Sequence, residues 1–162
     1  MPVLLRSLLV ALALALGALL VPGRAATEAQ CLTGAEITAL FTGNTVAGSY
    51  LNGGYFSEFH AEDGRALGDN GLNLNTDACW NVDQDRVCYH YGVRPDRRTY
   101  CFFVERDGEK LNLRVSDTGR LNAIGTMQKG NPDQHGDGGR RWSCDDLLSS
   151  RRSVILPASF RR

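Results

Sequence analysis

From Thr45 to Gln128 the chain is a succession of short β-friendly runs broken by turn residues, with no stretch in which helical periodicity takes hold. The runs are Thr45–Leu51, Tyr55–Ala61, Arg65–Gly68, Ala78–Val82, Arg86–Tyr91, Thr99–Arg106, Glu109–Ser116 and Arg120–Gln128, so the sequence predicts about eight strands. Asp63-Gly64 and Asp107-Gly108 supply the positive backbone dihedrals of tight hairpins, and Asp83-Gln84-Asp85 marks a third turn. Tyr100, Phe102 and Val104 share one face; so do Leu111, Leu113 and Val115, while Asn112 and Arg114 point the other way. One face is therefore buried and the other wet. Consecutive hairpins without an intervening helix favour a small antiparallel up-and-down β-barrel, since closure removes exposed edges; a two-sheet β-sandwich is the alternative.

Ahead of the strands, Thr33 stands three residues before Glu36 in capping-box spacing, and Ile37, Leu40 and Phe41 fall on one helical face. One short N-terminal helix is expected over Leu32 to Phe41, stopped at Thr42-Gly43-Asn44.

The first residues read as a targeting segment. Arg6 precedes an apolar run from Leu8 to Val21, and Pro22-Gly23-Arg24-Ala25 follows it. The run falls short of the roughly 20 apolar residues that span a bilayer, so a cleaved signal peptide over residues 1–25 is expected, with Ala26 opening the mature chain; cleavage after Ala26 is the alternative. Glu28-Ala29-Gln30 before Cys31 lacks the small residue that lipid modification requires. The expected location is periplasmic or secreted, with no stable transmembrane helix after processing.

Removing 25 residues from the 162 leaves 137, a single-domain length, which divides into a β domain over residues 26–144 and a basic tail over 145–162. The mature chain has 16 basic against 18 acidic side chains, a balance that creates no field for nucleic acid. Around that tail, Arg140, Arg141, Arg151, Arg152, Arg161 and Arg162 face only Asp145 and Asp146. This reads as a solvated extension, with an anionic lipid, peptidoglycan or an acidic partner as the functional alternative. A marginal helix from Asp145 to Phe160 would end near Pro157.

Five cysteines in an exported chain read first as disulfide partners. Cys88 and Cys101 lie in runs that the connection from Gly92 to Arg98 would set side by side. Cys31 and Cys144 flank the expected barrel, and joining them would stabilise it by about 3 to 5 kcal/mol through loop closure, leaving Cys79 as the free thiol. Cys79 paired with Cys31 or Cys144 is nearly as good a solution.

Candidate chemistry is thin. Asp133-x-His135-x-Asp137-Gly138 opens like a calcium loop, but the twelfth position is Cys144 rather than a bidentate glutamate. Cys88-x-His90 puts a thiol and an imidazole on one strand face, two ligands short of a metal cage. His60 with Glu58, Glu62 and Asp63 spells an acid–base cluster, which the sequence places at a solvated hairpin tip. No serine sits in a nucleophile elbow, and no catalytic residue, cofactor or metal is assigned. Tyr50, Tyr55, Phe56, Phe59, Trp80, Tyr89, Tyr91, Tyr100, Phe102 and Phe103 exceed what one barrel wall needs; most fill the core and the remainder are available for a ligand mouth.

The order Gly43-Asn44-Thr45, Gly48, Tyr55-Phe56, Phe59, Asp63-Gly64, Gly68, Trp80, Cys88, Cys101, Gly108 and Gly130-Asn131 resembles a family of small exported proteobacterial proteins of unknown function, over roughly Leu32 to Pro132. That resemblance implies fold determinants and no activity; Cys31, Cys79, Cys144 and the arginine-bearing tail depart from it. The expected function is a non-catalytic binding module for a small ligand, an envelope component or a protein partner. The alternatives are a small envelope hydrolase using His60 or His90, and an inhibitor of a host or competitor hydrolase.

Overall fold

A computed structural model describes residues 29–69, 73–92 and 95–149. The expected leader and the residues beyond 149, including most of the expected tail helix, lie outside them. The elements run β1 (Gln30–Cys31), α1 (Gly34–Phe41), β2 (Thr45–Tyr50), β3 (Tyr55–His60), β4 (Ala66–Asp69), β5 (Cys79–Asp83), β6 (Arg86–Tyr91), β7 (Arg98–Asp107), β8 (Lys110–Val115), β9 (Leu121–Gln128) and α2 (Asp145–Ser149). The eight strands expected from the sequence are β2 to β9. The additional β1 pairs only with the far end of β7, at Gln30↔Arg106 and Cys31↔Glu105.

Every strand pair is antiparallel, in the order β4-β3-β2-β9-β8-β7-β6-β5. This is one curled sheet rather than two facing sheets. Its ends meet: Ala66 N–H donates to the Ala78 carbonyl (3.0 Å) and Trp80 N–H to the Gly64 carbonyl (2.7 Å), which nearly closes the barrel. Tight curvature needs places where backbones approach without side chains, and Gly48 sits opposite Gly125 on β2 and β9. A Cβ on Gly48 would lie 2.1 Å from the Ile124 carbonyl oxygen of the next strand.

Strand alternation sends Val46, Phe56, Trp80, Val87, Tyr89, Val104, Leu111, Leu113 and Ala123 into the core. α1 plugs one end. Thr33 Oγ1 accepts from Glu36 N–H while the Glu36 carboxylate accepts from Thr33 N–H, the expected capping box, and this fixes the entry of a helix whose Ile37 and Phe41 are wholly buried. Gly34 N–H donates to Asp85 at the β5–β6 turn (2.7 Å), seating the plug on that end. At the helix C-terminus Asn44 donates from Nδ2 to the Leu40 carbonyl and accepts from Gly130 N–H on Oδ1, tying helix, strand and the long loop after β9 together.

That loop corrects the cysteine assignment. It returns past β3 and β4 to β5, where Cys79 is bonded to Cys144, 65 positions apart; Cys31 is exposed and free. Cys31 sits on β1 beside β7, away from the β5 edge that the loop reaches, so the expected Cys31–Cys144 bond does not form and Cys79 is not the free thiol. Cys88 and Cys101 face each other in register on β6 and β7 and are bonded. Trp142 Nε1–H donates to the Ala78 carbonyl and Arg65 stacks over the Trp142 ring, so the end of the loop covers the β4–β5 junction. Among the described residues no helix is long and apolar enough to cross a membrane.

On the chain-entropy view, replacing Cys79 and Cys144 together by serine should cost about 3 to 5 kcal/mol in urea unfolding, whereas Cys31→Ser should change stability by less than about 0.5 kcal/mol. A thiol assay on the unfolded, unreduced protein should find a single reactive cysteine.

Candidate functional site

Alternation along β3 places Phe56, Glu58 and His60 inside the barrel and Tyr55, Ser57 and Phe59 outside. His60 is therefore not at a solvated tip, as the sequence suggested: it ends β3, opposite Ala66, with no exposed surface. The turn begins only at Ala61. The Asn44 carbonyl can only accept, so His60 Nδ1 carries the proton toward it (3.2 Å) and Nε2 accepts from the Tyr89 hydroxyl (2.8 Å). Burial drives the His60 pKa down to about 4, keeping the ring neutral, while Phe41 and Trp80 pack edge-on against it at 4.8 and 5.0 Å. Both ring nitrogens are engaged within the protein.

His90 is likewise committed, between Thr99 Oγ1 (2.9 Å) and Asn81 Oδ1 (3.2 Å) on the outer face, and its pKa is lowered, first by burial and then by Arg97. Its neighbour Cys88 is consumed in the disulfide. Glu62 and Asp63 lie in the exposed turn, apart from His60; Asp63 pairs with Arg65.

Sequence reasoning missed a Ser–His–Asp cluster. Ser57 Oγ donates to Asp133 Oδ2 at 2.7 Å and lies 2.7 Å from His135 Nε2. Because the single hydroxyl proton goes to the carboxylate, Nε2 must donate to Ser57. An imidazole in that role is no base for the serine, and Asp133 approaches the same nitrogen (3.6 Å) instead of orienting the ring from Nδ1. The cluster docks the loop onto β3. Asp137, the remaining carboxylate of that calcium-like stretch, faces Arg65 and caps Gly139 N–H.

The end of the barrel opposite α1 is open. It holds a cavity of about 340 Å³, within the usual range for small-ligand pockets, lined by Tyr50, Phe56, Glu58, Tyr89, Tyr91 and Tyr100, with Arg98, Phe102, Leu113, Asn122 and Ala123 completing it. These residues come from the C-terminal ends of β2, β6 and β8 and the N-terminal ends of β3, β7 and β9, which an up-and-down barrel gathers at one rim. Six of the ten aromatic residues singled out in the sequence line this mouth; Trp80 is in the core, and Tyr55 and Phe103 are exposed outside.

Glu58 is the unusual member. It is 8% exposed, and its hydrogen-bond partner among the described residues is the Asn75 amide, which donates from Nδ2 to Oε1 (2.5 Å). Burial pushes its pKa up to about 8, against the smaller opposing effect of Asn75. Burial also raises the Tyr50, Tyr89 and Tyr91 hydroxyls, and the neighbouring Glu58 carboxyl adds to the effect in each. No known family model, curated protein or solved structure matches the chain.

The two buried groups act on stability in opposite directions. Glu58 has a folded pKa above its ordinary 4.5, so its contribution is complete below pH 4.5 and is lost as pH rises through 8. His60 has a folded pKa below its ordinary 6.5, so its contribution is complete above pH 6.5 and is lost as pH falls through 4. Melting followed by circular dichroism should show Glu58→Gln gaining on the wild type steadily from pH 5 to 8.5; parallel curves would mean a hydrated Glu58. His60→Ala should lower stability by about 2 to 4 kcal/mol, because it leaves a void and strands the Tyr89 hydroxyl.

Proposed function

We propose that the chain is an exported, non-catalytic binding module whose open barrel end holds a small amphipathic ligand. The observation that carries this reading is the cavity itself: aromatic rings on facing walls, a rim open to solvent and one buried carboxyl. Such a lining supplies apolar area for affinity and a few polar groups for orientation, the usual composition of a ligand pocket. A hydrolase built on His60 or His90 has less support, since each imidazole has both nitrogens hydrogen-bonded inside the protein and neither lines the cavity. Export by the 1–25 leader into the periplasm or medium would provide the oxidising surroundings in which two disulfides persist.

A thermal-shift screen of soluble single-ring aromatic compounds, amines and short alcohols tests the reading. Members that fit should raise the melting temperature in proportion to the logarithm of their concentration, and Tyr91→Ala, at the rim, should weaken them by about tenfold or more. A screen without any response, or equal responses in wild type and Tyr91→Ala, would remove the mouth as the binding site.

A further inference from the structure

We infer that the ligand is a small organic cation, its ammonium group held against the Glu58 carboxylate among the tyrosine rings of the barrel mouth. The inference rests on the mouth being the ligand site and adds what that site selects.

Three observations converge. Glu58 reaches the cavity wall from β3, almost wholly buried, yet among the described residues no Lys, Arg or His pairs with it; its partner is a neutral amide. A buried carboxylate without a counter-charge is costly, and a cationic ligand supplies the missing one. Tyr50, Tyr89, Tyr91 and Tyr100 line the same space, and the faces of such rings attract cations most strongly where water is excluded. Finally, the positive charge an anion would need is lacking at depth. The Tyr89 hydroxyl proton is committed to His60, and Arg98, the one cation of the lining among the described residues, is exposed to solvent and screened there.

The groups around Glu58 are Tyr50 from β2, His60 on its own strand, Tyr89 and Tyr91 from β6, and Arg98 and Tyr100 from β7, with Asn75 from the β4–β5 connection and Asp77, whose charge acts on Tyr91. His60 is neutral at these pH values. Of the carboxyls in this set Glu58 alone lines the cavity, so a proton lost on ligand entry comes from it. The empty site holds that carboxyl protonated near neutrality, and a bound ammonium would ionise it. Binding then releases about one proton per ligand at pH 7, and affinity rises about tenfold per pH unit up to about pH 8 for a ligand that does not itself titrate.

Isothermal titration of the mature, disulfide-bonded protein with choline, and with dimethylbutanol as its uncharged carbon isostere, tests this. Choline should bind at least about tenfold more tightly than the alcohol, and about tenfold more tightly at pH 7 than at pH 6. Titrations in two buffers of different ionisation heat should count about one proton released. Glu58→Gln should abolish both the preference for choline and the proton release. Equal binding of the two compounds, affinity for choline independent of pH, or undiminished choline binding by Glu58→Gln would overturn the inference while leaving the mouth as a ligand site. Failure of choline to bind overturns it too; if the wider screen is also silent, the binding-module reading falls with it. Should Glu58→Gln fail to fold, the isostere comparison and the proton count on the wild-type protein decide alone.

Discussion

An eight-stranded meander has two raw edges, here β4 and β5, and the junction between them governs the interior. Few backbone hydrogen bonds cross it, chiefly Ala66 to Ala78 and Trp80 to Gly64, because β4 is only four residues long. The rest of the closure comes from the loop after β9, which lays Trp142 against the Ala78 carbonyl and locks Cys144 to Cys79 on β5. Only with this seam shut are Glu58 and His60 kept from water. The disulfide thus bears on the chemistry of the interior as well as on stability.

Within the closed barrel, polarity is layered. Phe41 and Ile37 of α1 seal one end; above them His60, Trp80 and Tyr89 form a mixed layer in which each polar hydrogen has an acceptor; above that, the buried Glu58 stands at the cavity wall beneath a rim of tyrosines that meets solvent. Asn44 links the layers. It caps α1, holds Gly130 and presents the carbonyl that fixes the His60 tautomer, which gives a structural role to the Gly43-Asn44-Thr45 stretch. A neutral His60 that receives the Tyr89 hydroxyl proton leaves that tyrosine without a donor for the cavity, so the choice of tautomer deep in the core shapes what the mouth can recognise.

The strands were legible because period-two alternation and Asp-Gly turns are local signals, and the α1 capping box is equally local. β1 was not, since Gln30-Cys31 carries no alternation and pairs only with an overhang of β7. The Cys79–Cys144 bond depends on the path of a long polar loop, which sequence does not encode in its spacing. Ser57, Asp133 and His135 meet for the same reason, across more than seventy positions. The charged residues before Asp63-Gly64 spell a hairpin tip at His60, yet strand parity from Phe56 turns both Glu58 and His60 inward, and β3 runs through His60. Even so, the burial of Glu58 needed the curl of the sheet and Asn75 from an Asn-rich connection that has no pattern of its own.

The most direct test is to follow the Glu58 side-chain carboxyl by carbon-detected NMR across pH in the oxidised, ligand-free protein. With Glu58 buried at the cavity wall, the midpoint should be raised to about 8. A midpoint near the ordinary 4.5 would mean that water reaches the carboxyl freely, and would contradict the burial of Glu58 and the site built on it.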